Sequence, residues 1–173
     1  IPMVQSGSNV QATLSAIKAA SRTYGAFSSG TDQTGSVSAG TAMTFDSTDI
    51  ADGITLASSS HLVVPNDGVY NLQFSAQLKN LENAQYDATI WFRINGVDVA
   101  DSAGVVTVSG NGQKSLPAWN YVFQLSANDY VQLYWSSTDA KHQHAKQLDE
   151  HVQKRTRYFP QRLASTADLS PGG

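Results

Sequence analysis

From Val69 to Leu78 the chain alternates apolar and polar residues without a break. Tyr70, Leu72, Phe74, Ala76 and Leu78 fall on one face, and Asn71, Gln73, Ser75 and Gln77 on the other. A period of two marks a half-buried strand. The polar positions are unusual, because a solvated sheet would be expected to show Lys, Glu or Thr there. Amides and hydroxyls can be covered by another chain when their hydrogen bonds are met.

The same period recurs. Tyr86 to Ile94 turns Tyr86, Ala88, Ile90, Phe92 and Ile94 inward. Asn95-Gly96 is the favoured pair for a two-residue type I′ hairpin, which returns the chain along Val97–Ala100. Val105–Val108 follows. Trp119, Tyr121, Phe123 and Leu125 alternate with Asn120, Val122 and Gln124, and Tyr130 to Trp135 closes the series. Weaker strands are expected at Tyr24–Ser29, Thr41–Phe45, Gly53–Leu56 and His61–Val64. Pro65-Asn-Asp-Gly68 reads as a tight turn with positive φ at Gly68, and Asp46–Gly53 as a turn cluster. The stretches Ser28–Gly40, Asn80–Gln85 and Ala103–Gln113 read as outward-facing loops.

One helix is expected, over Ser8 to Ala20. Ser8 and Gln11 fit a capping box, and Val10, Leu14 and Ile17 make a narrow apolar stripe. So short a helix needs a partner. Its stripe is a candidate for attachment or bundling, against its own domain, sister helices or another protein. The chain thus predicts an all-β fold, an antiparallel jelly-roll sandwich with a short N-terminal helix and an irregular C-terminal tail. Three segments are expected: 1–22, a helical attachment segment; 23–140, the jelly roll; and 141–173, a basic tail containing histidines.

Composition sharpens the picture. Of 173 residues only 14% are charged, against roughly 25% in ordinary domains. Absence of cysteine removes disulfides, thiol nucleophiles and Cys-ligated zinc. Residues 1–140 carry five Lys/Arg against eleven Asp/Glu, and residues 141–173 six against three. No apolar run approaches the ~18 residues that span a bilayer, so no membrane contact is expected.

Candidate chemistry is thin. His142, His144 and His151 have no metal-site spacing, and a solvated tail is the better reading. Asp46, Asp49, Asp52 and Asp67 lack the calcium-loop pattern and suit turns. There is no Gly-x-Ser-x-Gly elbow and no carboxylate pair for glycosidic work. The basic stretch Lys154-Arg-Thr-Arg157, with Arg162, is weak grounds for nucleic acid; docking on an acidic neighbour fits it better, and a plain solvated tail better still. No catalytic residue, metal or cofactor is expected.

Three pieces then stand in order: Pro65-Asn-Asp-Gly-Val-Tyr-Asn-Leu-Gln-Phe-Ser-Ala, Ile90-Trp-Phe-Arg-Ile-Asn-Gly-Val-Asp-Val-Ala, and Phe123-Gln-Leu-Ser-Ala-Asn-Asp-Tyr-Val-Gln-Leu. Together they resemble the tumour-necrosis-factor-like jelly roll, also the globular head of complement-type proteins, over Thr23 to Asp139. The Ser/Thr/Asn-rich style and the opening Asn9-Val-Gln-Ala-Thr-Leu-Ser-Ala-Ile-Lys18 look like bacteriophage virion proteins.

The resemblance implies a homotrimer packed through one sheet, often by aromatics. Trp119, Tyr121, Phe123, Tyr130, Tyr134 and Trp135 are the aromatic candidates, although most of them suit the domain's own core better. Asn120, Gln124, Gln132 and Tyr134 are the candidate trimer interface. The implied role is a structural component of a tailed-phage virion, a head fibre or a capsid decoration, located in the virion beside other capsid or fibre proteins. The alternatives are a tail-fibre knob binding a host-surface glycan or protein, and a secreted trimeric ligand or lectin-like module. One departure is clear. The family's closing strand should follow Trp135, yet beyond Ala140 the sequence neither alternates nor turns apolar, apart from Tyr158-Phe159.

Overall fold

The structure is a computed structural model. It describes residues 23–37 and 39–138 with their side chains. It also describes the backbone of four short strands, Pro2–Gln5 (β1), Ser8–Gln11 (β2), Gln143–His144 (β16) and Arg155–Arg157 (β17).

Two sheets face each other. The first is built on Tyr86–Ile94 (β10) and Tyr130–Ser137 (β15), which pair antiparallel from Ala88↔Ser137 to Ile94↔Val131. On one side β10 takes Val97–Asp98 (β11) and Gly104–Val108 (β12). On the other, β15 takes Thr41–Ala42 (β4) and His61–Val63 (β7), and β7 takes Thr55–Ala57 (β6). The second sheet is built on Gly68–Ser75 (β8) and Ala118–Leu125 (β14), paired over eight residues. Here β17 pairs with β8 at Asn71–Gln73 and packs against Tyr24–Ser28 (β3), itself paired with Ser47–Asp52 (β5). A small sheet of Leu78–Asn80 (β9), Lys114–Ser115 (β13) and β16 completes the strands.

The alternation explains the core. Tyr70, Leu72, Phe74, Ile90, Phe92, Phe123, Leu133 and Trp135 all turn into the space between the sheets and are buried there. Phe92 sits at the centre of an edge-to-face cluster, with its ring centroid 5.7 Å from Phe74, 4.9 Å from Tyr121 and 5.3 Å from Phe123. Such pairs add to what area burial alone supplies.

Turns fix the register. Asn95 and Gly96 take φ of 51° and 80°, as the type I′ hairpin requires. That hairpin is clipped to the turn Ser126–Asp129: Asn95 Nδ2 donates to Asp129 Oδ1 (2.7 Å), and the Tyr130 amide donates to Asn95 Oδ1 (3.0 Å). At the opposite end Asn80 is fully buried. Its amide nitrogen donates to the carbonyls of Ala84 and Val108, and its Oδ1 accepts from the Glu82 amide.

Several expectations need correction. The helix does not begin at Ser8: Ser8–Gln11 is extended and pairs with Pro2–Gln5, with Val10 opposite Met3. A ladder serves those backbone groups instead of a cap. Leu14, Ile17 and the rest of the expected helix lie outside the described residues. Residues 47–52, expected in a turn cluster, form a strand exposed along its whole length. Gly68 is not among the positive-φ glycines; the Pro65–Gly68 bend is held by Tyr70 Oη, which donates to the Asn66 carbonyl at 2.7 Å. β12 bears out the strand expected at Val105–Val108, so only its second half is left of the loop expected at Ala103–Gln113. The tail is not wholly irregular, because Arg155–Arg157 takes the closing-strand place between β8 and β3.

Trp135 is completely buried. Trp135→Ala should therefore lower the unfolding free energy by about 3–5 kcal/mol, measured by denaturant titration. A loss below about 1 kcal/mol would place the ring at the surface and contradict the packing.

Candidate interaction surface

The register of β8 and β14 sets which residues share the outer face of the second sheet. Asn120 stands opposite Gln73, Val122 opposite Asn71, Gln124 opposite Val69, and Ala118 opposite Ser75. Directly paired residues point to the same side, so these eight form one patch. It holds no charged side chain. Val122 is 62% exposed and Val69 45% exposed, an apolar pair set among amides. Asn120 Nδ2 donates to Asn71 Oδ1 at 3.2 Å, which orients one pair of amides across the two strands. The adjoining strand β17 places Arg157 opposite Asn71 and Arg155 opposite Gln73 in the ladder.

The four candidate interface residues do not fall together. Asn120 and Gln124 lie on this patch. Gln132 and Tyr134 lie on β15 in the other sheet, pointing away from the core on that side. Gln132 is 5% exposed, and its amide nitrogen donates to Ser60 Oγ at 3.0 Å. Of the six aromatic candidates, Phe123 and Trp135 are buried in the domain, and Trp119 and Tyr121 pack against the same core. Tyr130 stacks on His61 with ring centroids 4.0 Å apart.

Tyr134 belongs to a cluster that the sequence did not single out. The Arg93 guanidinium lies over its ring, 4.1 Å from the centroid, and pairs with Asp98. Trp91 Nε1 donates to the same carboxylate at 2.7 Å. Gly40, with φ of 71°, lies so close beneath Trp91 that a Cβ there would clash with the ring. Only glycine tolerates both the φ and the contact. The cluster ties the loop before β4 onto the sheet. Its signal in the sequence was a Trp and an Arg at outward positions of β10, where small polar residues would serve.

The acidic residues act as local acceptors. Asp46 accepts from Thr31 Oγ1, Ser29 Oγ and the Gly30 amide, and Asp67 accepts from the Ala127 amide. The Thr31 hydroxyl, followed by the Gly30 amide and the Ser29 hydroxyl, holds the Asp46 carboxyl below its usual value. Among the described residues no three His, Asp or Glu side chains gather as metal ligands would. His142 and His151 lie outside the described residues, and His144 is described only as backbone in β16.

No protein-family model matches the sequence, and no curated protein does. Among solved structures, the crystal structure of murine APRIL at pH 8.5 is similar, with a TM-score of 0.55 at 10% identity, covering 79% of this chain and 98% of that one. The fold is a tumour-necrosis-factor-like jelly roll. The phage resemblance rests on the sequence alone.

Hydrogen bonds from Arg93, then from Trp91, hold the Asp98 carboxyl below its ordinary value of 3.8. A lowered value means the contribution is present above the unfolded pKa and is lost as pH falls through the lower, folded one. A carboxyl-carbon NMR titration should place the Asp98 midpoint below 3.8, and Trp91→Phe should raise it. A midpoint at or above 3.8 in the unaltered protein would contradict the cluster.

Proposed function

We propose that this chain is a non-enzymatic assembly and binding module that works as a homotrimer, packed through the outer face of β8 and β14. The observation that carries the proposal is the patch itself: eight neighbouring positions without a charge, in which Val69 and Val122 stand exposed. A face left to water gains from Lys or Glu, whereas interface centres are depleted of charge. The jelly-roll fold, shared with APRIL, fits such a module.

Within that reading we place the trimer on a tailed-phage particle, as a head fibre or capsid decoration. Support comes from the low charge, the Ser/Thr/Asn-rich surface and the likeness of residues 9–18 to the openings of virion proteins. The trimer's work is burial: each copy covers amide-bearing and apolar surface of its neighbour and so stabilises the particle to which it is fixed. Antibody raised against the chain should label the heads of purified particles. Label confined to tail tips would favour a receptor-binding knob, and no label would remove the virion role.

Native mass spectrometry of the full chain at micromolar concentration should give three copies of the 18.5 kDa subunit. Val122→Lys should yield a monomer that melts within a few degrees of the parent domain, because the side chain already faces outward. A parent chain that is monomeric at that concentration would overturn the proposal.

A further inference from the structure

The strand β14 has a second property, distinct from its outer face. One of its backbone edges is paired with β8 along all eight residues, and the other pairs with no described strand. Free edges are ordinarily guarded by lysine, proline, a bulge or an inward charge, because bare N–H and C=O groups recruit strands. The sequence Ala-Trp-Asn-Tyr-Val-Phe-Gln-Leu contains none of these guards. The edge strand β5, by comparison, carries Asp49 and Asp52.

The hairpin of β1 and β2 has the complementary deficiency. Its strands, Pro-Met-Val-Gln and Ser-Asn-Val-Gln, pair with each other and with no other described strand. A lone two-stranded hairpin is at best marginally stable in water. Neither of its strands carries a charge, so no repulsion or desolvation of ions opposes its addition to β14. Residues 12–22 lie between the hairpin and the jelly roll, and eleven residues reach at most about 40 Å.

From these two observations we infer that the amino-terminal hairpin of one copy adds to the free edge of β14 in a neighbouring copy, forming an exchanged arm. The inference rests on the homotrimer proposed above and specifies how it is locked. Three arms and three β14 edges match one to one around a three-fold axis, so the exchange closes on itself and uses every arm and every β14 edge. Main-chain hydrogen bonds supply the affinity, as in other cases of strand addition.

Two measurements on the full chain test this. The first compares amide exchange over Ala118–Leu125 in the parent and in Val4→Pro/Val10→Pro, which removes ladder donors from both arms. Protection of β14 should fall by roughly tenfold or more when the hairpin is broken, while native mass spectrometry still finds a trimer. The second uses the absence of native cysteine. Val10→Cys is co-expressed with chains carrying Asn120→Cys, Val122→Cys or Gln124→Cys in turn, and at least one pair should oxidise to an interchain dimer.

Unchanged β14 exchange in a parent that is trimeric overturns the arm and leaves the trimer standing. So does the absence of every interchain disulfide. A parent chain that is monomeric overturns both.

Discussion

The pairing of β8 with β14 is the constraint on which the rest depends. Its register, Val69 to Gln124 through Ser75 to Ala118, decides the fate of both faces at once. Inward it delivers Tyr70, Leu72, Phe74, Tyr121 and Phe123 to the ring cluster around Phe92. Outward it collects Asn71, Gln73, Asn120 and Gln124 into one uncharged field. A slip of one residue would exchange the two sets, putting amides in the core and aromatic rings in water. The burial of several rings therefore locks the register, and the composition of the outer face follows from it.

Much of this was legible in the sequence because period two is a strong signal and because both strands are long. The core residues of β8, β10, β14 and β15 were read from alternation alone. The Asn95-Gly96 hairpin followed from backbone sterics. What could not be read was the assignment of strands to sheets. β14 and β15 are joined by the turn at Ser126–Asp129 and look like a hairpin, yet that turn carries the chain from one sheet to the other. Gln132 and Tyr134 thereby leave the face on which Asn120 and Gln124 stand. Periodicity reports which side of a strand is buried, never which neighbour the strand has.

Other misses have local causes. Ser47–Asp52 carries Asp49, Ala51 and Asp52, residues disfavoured in strands, and it is extended because β3 offers it a ladder and Ser28 Oγ donates to Asp49 Oδ1. Ser8 and Asn9 are good caps, but they also suit the start of a strand, and Pro2–Gln5 supplies the partner that decides the matter. The closing strand went unseen because Arg155-Thr156-Arg157 shows no apolar alternation in three residues. It is recognised by its neighbours: Asn71–Gln73 on one side and β3 on the other. The cluster of Trp91, Arg93, Tyr134 and Asp98 combines residues from three strands, and no spacing in the chain announces it.

The account of function follows from how each surface is occupied. Arg93 and Asp98 satisfy one another, and Trp91 beside them packs on Gly40 in the loop before β4. The outer face of β8 and β14 has one such internal bond, from Asn120 to Asn71, and its eight uncharged positions have the composition of an interface centre. A crystal structure of the protein assembled in solution tests this most directly. The account requires Asn71, Gln73, Val122 and Gln124 to be buried between copies around a three-fold axis, with their amides hydrogen-bonded across it. A structure in which those four side chains face bulk water in every copy would contradict it.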